Sequence, residues 1–287
     1  MPPPEFTARF PARDYDLAAT LACGQAFRWR ENAAGWEGAI GARWVRLRLD
    51  YDGIVATAAV PPEDWRWLVE HLQTDVDLTA VLASFPDDEP MRASVAACRG
   101  LRLLRQEPWE CLASFILSST KQIVQIQQIV ELLCTRFGEP LVAPPGAVVT
   151  RAFPTAGRIA ACNEADLRDC RMGFRAPSLL AAARTVASGA LDLSALRQLP
   201  VDAARDRLTQ LRGVGPKIAN CVLLFAYGFQ QAFPVDVWVM KALRELYFPK
   251  RQPRPERLSR FVTTHFGPNA GYAQQYLFHY MRTRRTD

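Results

Sequence analysis

The chain has 287 residues, 49% of them hydrophobic, and a formal net charge of +6. That is enough for one large or two modest domains with a real core, which excludes a disordered tail, and the basic balance fits a polyanionic partner. Seven cysteines without a CxxC pair argue against a disulfide scaffold or a cysteine zinc site and for a reducing compartment; no apolar run nears membrane-spanning length. The first five residues lack the basic and apolar regions of a leader, so a cytosolic protein is expected. Strand patterns dominate before residue 100. Phe27-Arg28-Trp29-Arg30, Trp36-Glu37-Gly38-Ala39-Ile40, Trp44-Val45-Arg46-Leu47-Arg48-Leu49 and Gly53-Ile54-Val55-Ala56-Thr57 read as neighbouring strands separated by Asn32 and glycine turns, with Val45, Leu47 and Leu49 on one face. Helices are predicted over residues 62–72 and 78–84. Beyond residue 100 the pattern is helical almost throughout, over 110–117, 122–137 ending at Gly138, a capped start at Asn163, then 177–187, 256–265 and 269–282. A loop is expected over 140–145, and Lys250-Arg251-Gln252-Pro253-Arg254-Pro255 forms a basic loop. The predicted class is α+β: an N-terminal antiparallel sheet domain over 1–104, then a mainly α-helical body over 105–287.

The segment Leu211-Arg212-Gly213-Val214-Gly215-Pro216-Lys217-Ile218-Ala219-Asn220-Cys221 has the form of a hairpin between two helices. Residues 202–211 are a helical run with apolar Leu208 and Leu211, for which Asp202 serves as cap. Gly213-Val214-Gly215 must turn sharply, and glycine permits φ > 0 and close backbone approach. Residues 217–227 form the second helix, with Pro216 in its first turn where a missing N–H costs nothing. The turn exposes unpaired N–H groups at a helix N-terminus, a ready phosphate site, so Gly213, Val214 and Gly215 read as a clamp for a nucleic-acid backbone.

Lys217 sits on that first turn, one of only four lysines, with Lys121, Lys241 and Lys250. The helix macrodipole disfavours an ammonium there, and partial burial disfavours it further, so both favour a neutral amine that can form a Schiff base. Asp236 follows 19 residues later, at the N-cap of a third helix beginning Val237-Trp238-Val239-Met240. The plainer reading makes Lys217 a phosphate-contacting surface lysine and Asp236 only a cap. Cys221 lies at i+4 from Lys217, and Gln274 and Phe278 are also i, i+4. An amide and an aromatic on one face suit a flipped base, the amide on its Watson–Crick edge and the ring on its face. The plainer reading is simple packing for Cys221 and Phe278 and a surface position for Gln274.

The hairpin, the Gly/Pro-rich loop and the aspartate resemble the signature of the helix-hairpin-helix (HhH-GPD) DNA base-excision glycosylase superfamily. The lysine-bearing hairpin is similar to that of the 8-oxoguanine DNA glycosylases. The resemblance runs from Cys23-Gly24-Gln25-Ala26-Phe27-Arg28-Trp29 to Gly271-Tyr272-Ala273-Gln274-Gln275-Tyr276-Leu277-Phe278, nearly the whole chain. It implies a TBP-like sheet domain, a helical glycosylase body with the hairpin at about 203–228, and a bifunctional glycosylase/AP lyase that flips and excises 8-oxoguanine. It assigns Lys217 as Schiff-base nucleophile and Asp236 as stabiliser of the oxocarbenium charge. Cys221 and Phe278 become opposite walls of the base pocket, Gln274 the base reader, and Gly24 the carbonyl that accepts the lesion's N7–H. Phe174 and Arg175, in Met172-Gly173-Phe174-Arg175, match an aromatic wedge and an arginine facing the estranged base. The implied partner is double-stranded DNA carrying a damaged base, bound by a monomer in the nucleoid or nucleus, with no membrane. No cofactor is implied, and no cysteine follows Cys221 to hold the iron–sulfur cluster of some relatives. The backbone of Thr209, Leu211 and Val214 matches the family's monovalent-cation position, while His71, His265 and His279 are isolated and expected to be packing or surface residues.

The chain departs from the family in three places. After Phe115-Ile116-Leu117-Ser118-Ser119 the family has an asparagine run reaching the orphaned cytosine; here Thr120-Lys121-Gln122 follows, and Gln125 replaces the next arginine. Trp238 stands where animal relatives have a phosphate-contacting histidine. Weaker preference for cytosine opposite the lesion is therefore expected. Two rival readings remain: a monofunctional alkylated-base glycosylase of the same superfamily, which Lys217 with Cys221 argues against, and a non-catalytic hairpin DNA-binding protein, which the spacing of Asp236 argues against.

Overall fold

A computed structural model of the chain describes residues 5–118, 121–249 and 253–284. The N-terminal part contains β1 (Phe6–Phe10), α1 (Leu17–Ala22), β2 (Arg30–Asn32), β3 (Gly35–Ile40), β4 (Arg43–Asp50) and β5 (Gly53–Ala58). The strands form one antiparallel sheet in the order β1-β5-β4-β3-β2. Pairings Ile40↔Arg43 and Asp50↔Gly53 leave two-residue turns, and Asn32 Oδ1 accepts from Ala34 N at 2.8 Å in the turn between β2 and β3.

Three strand expectations change. Val45 and Leu47 are fully buried, but Leu49 is 49% exposed, because β4 runs past the sheet's core towards its turn. Strand pairing begins only at Arg30, not Phe27. Phe27 packs into the helical core, Trp29 into the sheet core, and the buried Arg28 between them reaches the Arg151 carbonyl. Those separate demands of burial and hydrogen bonding override the local extended pattern. β1 was not anticipated; it is an edge strand with no buried residue, so its hydrophobic signal is weak.

Next come α2 (Arg66–Leu72), α3 (Leu78–Ala83) and α4 (Glu89–Ala97). α2 starts four residues later than predicted, after a turn in which Asp64 Oδ1 accepts from Arg66 N at 2.9 Å. α4 has no counterpart in the sequence reading, yet its start is ordinary: Asp88 accepts from Met91 N at 2.8 Å, and Pro90 sits in the first turn. Leu78, Met91 and Cys98 join the helical core rather than the sheet's, and the strap that follows divides, with Leu101 and Leu103 on the helical side and Leu104 on the sheet side.

The body comprises α5 (Pro108–Leu117), α6 (Ile123–Phe137), α7 (Ala156–Ala160), α8 (Glu164–Leu167), α9 (Ala176–Ala187), α10 (Val201–Thr209), α11 (Pro216–Val222), α12 (Val237–Ala242), α13 (Pro255–Phe266) and α14 (Ala270–Thr283). Asn163 caps α8 as expected, accepting from Asp166 N at 2.9 Å. α6 ends at Gly138 with φ −80, not in the left-handed conformation. Glycine is needed there for space, since a Cβ would lie 2.0 Å from the Ala152 carbonyl oxygen. Asp202 is not the cap of α10: Pro200 holds that place, and Asp202 in the first turn pairs with Arg205. Residues 250–252 of the basic loop lie outside the described residues. The described cysteines are all free and buried, and among the described residues no helix is long and apolar enough to cross a membrane.

Candidate active site

The two hairpin glycines have different reasons. Gly213 has φ +79, and a Cβ there would sit 2.5 Å from Ser178 Oγ on α9. Gly215, the N-cap of α11, is extended (φ −96, ψ −179), and a Cβ would meet nothing within 4 Å. The protein itself demands glycine only at 213; open space at 215 leaves the backbone approachable from outside. Val214 N donates to the Leu211 carbonyl at 3.1 Å, and both side chains are buried, so the turn presents backbone rather than side chains. Gly213→Ala is expected to lower stability by ~1–2 kcal/mol or more, from left-handed strain and the Ser178 overlap. Gly215→Ala should leave the denaturation midpoint unchanged and weaken duplex binding. Denaturant titrations and binding isotherms of the two variants check this, and an unstable Gly215→Ala would refute the division.

α11 carries Lys217 to the end of α5. Lys217 is half-buried, its Nζ donates to Ser118 Oγ at 3.0 Å, and it lies 5.3 Å from the centre of the Phe115 ring. Asp236 caps α12, Oδ1 accepting from Val239 N at 2.8 Å. Burial pushes its carboxyl above the usual carboxylate value, against the pull of the Val239 N–H and of Lys217. No ion pair joins Lys217 and Asp236 in this state, so the amine is held by a neutral hydroxyl rather than by the carboxylate. One turn beyond Lys217, Cys221 is 3% exposed, and burial pushes its thiol up to about 11 while Lys217 opposes the shift. A thiol so held stays protonated and is a poor nucleophile.

The other side comes from the N-terminal region and from α14. Gly24 follows α1 with φ +87, where a Cβ would lie 2.5 Å from Ile123 Cδ1 and 3.8 Å from Phe278 Cε1. α14 supplies Gln274 and Phe278 from one face, as their spacing predicts. Gly24, Lys217, Cys221, Asp236, Gln274 and Phe278 thus surround one cavity of about 50 Å³, completed by Phe225, Pro234 and Gln275. The cavity shares Gly24, Lys217, Asp236 and Phe278 with a groove of about 630 Å³. Lys121, Gln122 and Trp238 line that groove, with Val124 and Val237 as exposed apolar lips. Trp238 is 36% exposed and stacks under Lys241 Nζ at 5.7 Å.

Thr120 lies outside the described residues. Gln125 is turned back on its own helix, its Oε1 accepting from Gln122 N at 3.0 Å. Phe174 and Arg175 are not on the groove lining: Phe174 projects with 61% exposure, and the Arg175 guanidinium lies 4.8 Å from its ring. Arg175 Nη1 also comes within 3.7 Å of the space beside Gly213, which places the pair next to the hairpin turn. His71 is buried beside Trp29, His279 is half-buried, and His265 pairs with Asp88 at 2.7 Å. Ser118, Phe115, Phe225, Pro234 and Gln275 belong to the site without having been assigned to it from sequence. None of them carries a signal in the local sequence.

Two family models cover most of the chain. Residues 8–112 match the N-terminal domain of 8-oxoguanine DNA glycosylase, and residues 113–267 match the HhH-GPD superfamily of base excision DNA repair proteins. The chain belongs to the 8-oxoguanine DNA glycosylase family. Membership makes it a DNA N-glycosylase with that family's lyase activity. A probable N-glycosylase/DNA lyase of Methanothermobacter thermautotrophicus is 28% identical over 96% of each chain. The N-glycosylase/DNA lyase of Saccharomyces cerevisiae is 31% identical over 80% of this chain and 68% of its own. The 8-oxoguanine glycosylase/lyase of Clostridium acetobutylicum, solved with duplex DNA containing cytosine opposite 8-oxoguanine, superposes with a TM-score of 0.87 at 30% identity over 93% of this chain and 92% of that one.

Proposed function

We propose that this enzyme flips 8-oxoguanine out of duplex DNA and excises it through a Schiff base on Lys217. The carrying observation is convergence: a lysine amine, a half-buried carboxylate, a glycine backbone and an amide meet at one cavity. The amine attacks C1′ as the C1′–N9 bond breaks, and the bonding pair leaves with the base. Asp236 stabilises the positive charge on the sugar and receives a proton from the attacking amine. Sugar-ring opening gives the imine. Loss of a 2′ proton then expels the 3′ phosphate by β-elimination, the lyase step. Gly24 offers its carbonyl to N7–H, a donor that guanine lacks; leaving that acceptor unpaired costs ~1–3 kcal/mol, a real but limited discrimination. Gln274 reads the Watson–Crick edge between the walls of Cys221 and Phe278. Phe174 fills the space the base leaves, offsetting the cost of unstacking. The hairpin N–H groups hold a phosphate, and a monovalent cation on the carbonyls of Thr209, Leu211 and Val214 would share it. The enzyme acts as a monomer in nucleoid or nucleus. Single-turnover base release tests the assignment: 8-oxoguanine duplexes should be cleaved, and duplexes carrying guanine or 3-methyladenine in its place should not. Preferred release of 3-methyladenine would overturn it.

Opposite-base preference should be weak. Gln125 is occupied at its helix start and carries no charge, so the groove lacks the family's arginine. Each lost contact to a base edge removes ~1–3 kcal/mol of discrimination. Arg175, beside the hairpin, supplies what preference persists. Duplexes differing only in the opposite base should therefore differ little in excision rate, and less still for Arg175→Ala. A strong cytosine preference surviving that substitution would assign it to Lys121 or to backbone groups.

A further inference from the structure

Among the described residues, four buried glutamines fall into two kinds. Gln25 is structurally spent, its Nε2 donating to the Thr20 and Arg102 carbonyls and its Oε1 accepting from Leu104 N. Gln106 Nε2 donates to the Gln25 carbonyl at 2.6 Å. Gln274 and Gln275 are each 3% exposed, and their partners are missing: Gln274 Oε1 and Gln275 Nε2 are buried without a hydrogen bond. Both side chains line the cavity that holds Lys217. A buried polar atom without a partner is rare in a native interior and costs ~1–3 kcal/mol, so two of them on one cavity point to a ligand that completes them. One acceptor is already matched by the donors on the base's Watson–Crick edge. The remaining donor, Gln275 Nε2, faces only the Cys23 thiol, a weak acceptor that a carbonyl oxygen would outcompete.

We propose that Gln275 is a second amide reader of the flipped base, donating from Nε2 to a purine carbonyl oxygen. The proposal rests on the lesion assignment above. Gln275 lies beside the Cys23 thiol, next in sequence to Gly24. A base whose N7–H meets the Gly24 carbonyl presents its two carbonyl oxygens, at C6 and C8, on either side of N7. The pair would then act in opposite senses, Gly24 accepting and Gln275 donating, and together they match a base edge with alternating acceptor and donor. The amide also contributes to chemistry. As the C1′–N9 bond breaks, negative charge spreads onto the base carbonyls, and a donor already aimed there strengthens its bond in the transition state.

The test is single-turnover excision of 8-oxoguanine by wild type, Gln275→Ala and Gln275→Met, with borohydride trapping on abasic-site DNA as the second measurement. Gln275→Met keeps nearly the same length and removes the donor. Both variants should excise 8-oxoguanine roughly ten-fold or more slowly, while trapping abasic DNA, which holds no base, as well as wild type. A purely structural role would depress both measurements together and would overturn the proposal, as would unchanged excision by Gln275→Ala in a wild-type background that excises 8-oxoguanine normally. Failure of the wild type itself on 8-oxoguanine would instead remove the lesion assignment and this proposal with it. On 8-oxoadenine, which lacks the C6 carbonyl, a persisting variant effect places the bond at C8, and a lost effect places it at C6.

Discussion

Lys217→Gln is expected to abolish the borohydride-trapped adduct with 8-oxoguanine DNA and to reduce base release by orders of magnitude while duplex binding persists. The substitution is mild for the fold. The hydrogen-bond partner of Lys217 is the Ser118 hydroxyl, which a glutamine amide can also engage, and its neighbour is the flat face of Phe115. Asp236 is not stripped of an ion-pair partner, since it takes its hydrogen bond from Val239 N instead. The hairpin turn is untouched, so binding through the backbone clamp should remain. What disappears is, among the described residues, the only primary amine lining the cavity. Trapping with a duplex in excess, read by denaturing electrophoresis, gives the answer directly. Undiminished adduct would move the chemistry to another amine, with Lys121 in the groove lining as a candidate.

Sequence legibility followed the range of the interactions involved. The hairpin, the Asp236 cap and the i, i+4 pairs 217/221 and 274/278 are local patterns, and local geometry is what periodicity and capping rules encode. Their meeting at one cavity could be expected only through the family resemblance, because it joins α11, α12, α14 and the turn after α1, which lie far apart in sequence. Ser118 and Phe115 illustrate the limit. Nothing about an apolar helix ending in serine says that a lysine about a hundred positions away will rest on it. The strand expectations failed for a related reason: Phe27, Arg28 and Trp29 each answer to a different neighbour, and Leu49 continues an alternation past the point where the core stops. α4 escapes the sequence pattern although Asp88-Glu89-Pro90 is a sound helix start, since its apolar residues are mostly alanine. In sequence, Gln275 beside Gln274 has the look of helix surface, and only its burial beside the cavity distinguishes it.

Asp236→Asn should separate catalysis from stability in opposite directions. Asparagine is a competent N-cap, so the bond to Val239 N can be kept through the remaining carbonyl oxygen. The charge is lost, and with it the group that stabilises the sugar cation and accepts the amine's proton. Single-turnover base release is expected to fall about a hundred-fold or more, on the scale of losing a preorganised electrostatic contact. Stability should move the other way. Burial raises the carboxyl's pKa in the folded protein, so between the ordinary unfolded value and the raised one the native state binds more protons than the unfolded state. Stability contributed by this group is therefore present below the unfolded value and is lost as pH rises through the folded one. At neutral pH the ionised, partly desolvated carboxylate opposes folding, and the neutral amide removes that penalty. Asp236→Asn should accordingly melt no lower than wild type at pH 7, and the gap should narrow as the buffer becomes acidic. In wild type, base release should also decline on acidification at a pH above the ordinary carboxylate range, a limb the variant lacks. A near-normal excision rate in Asp236→Asn would reduce this residue to a helix cap, and a markedly lower melting temperature at pH 7 would mean that the carboxylate is held by contacts strong enough to outweigh its burial.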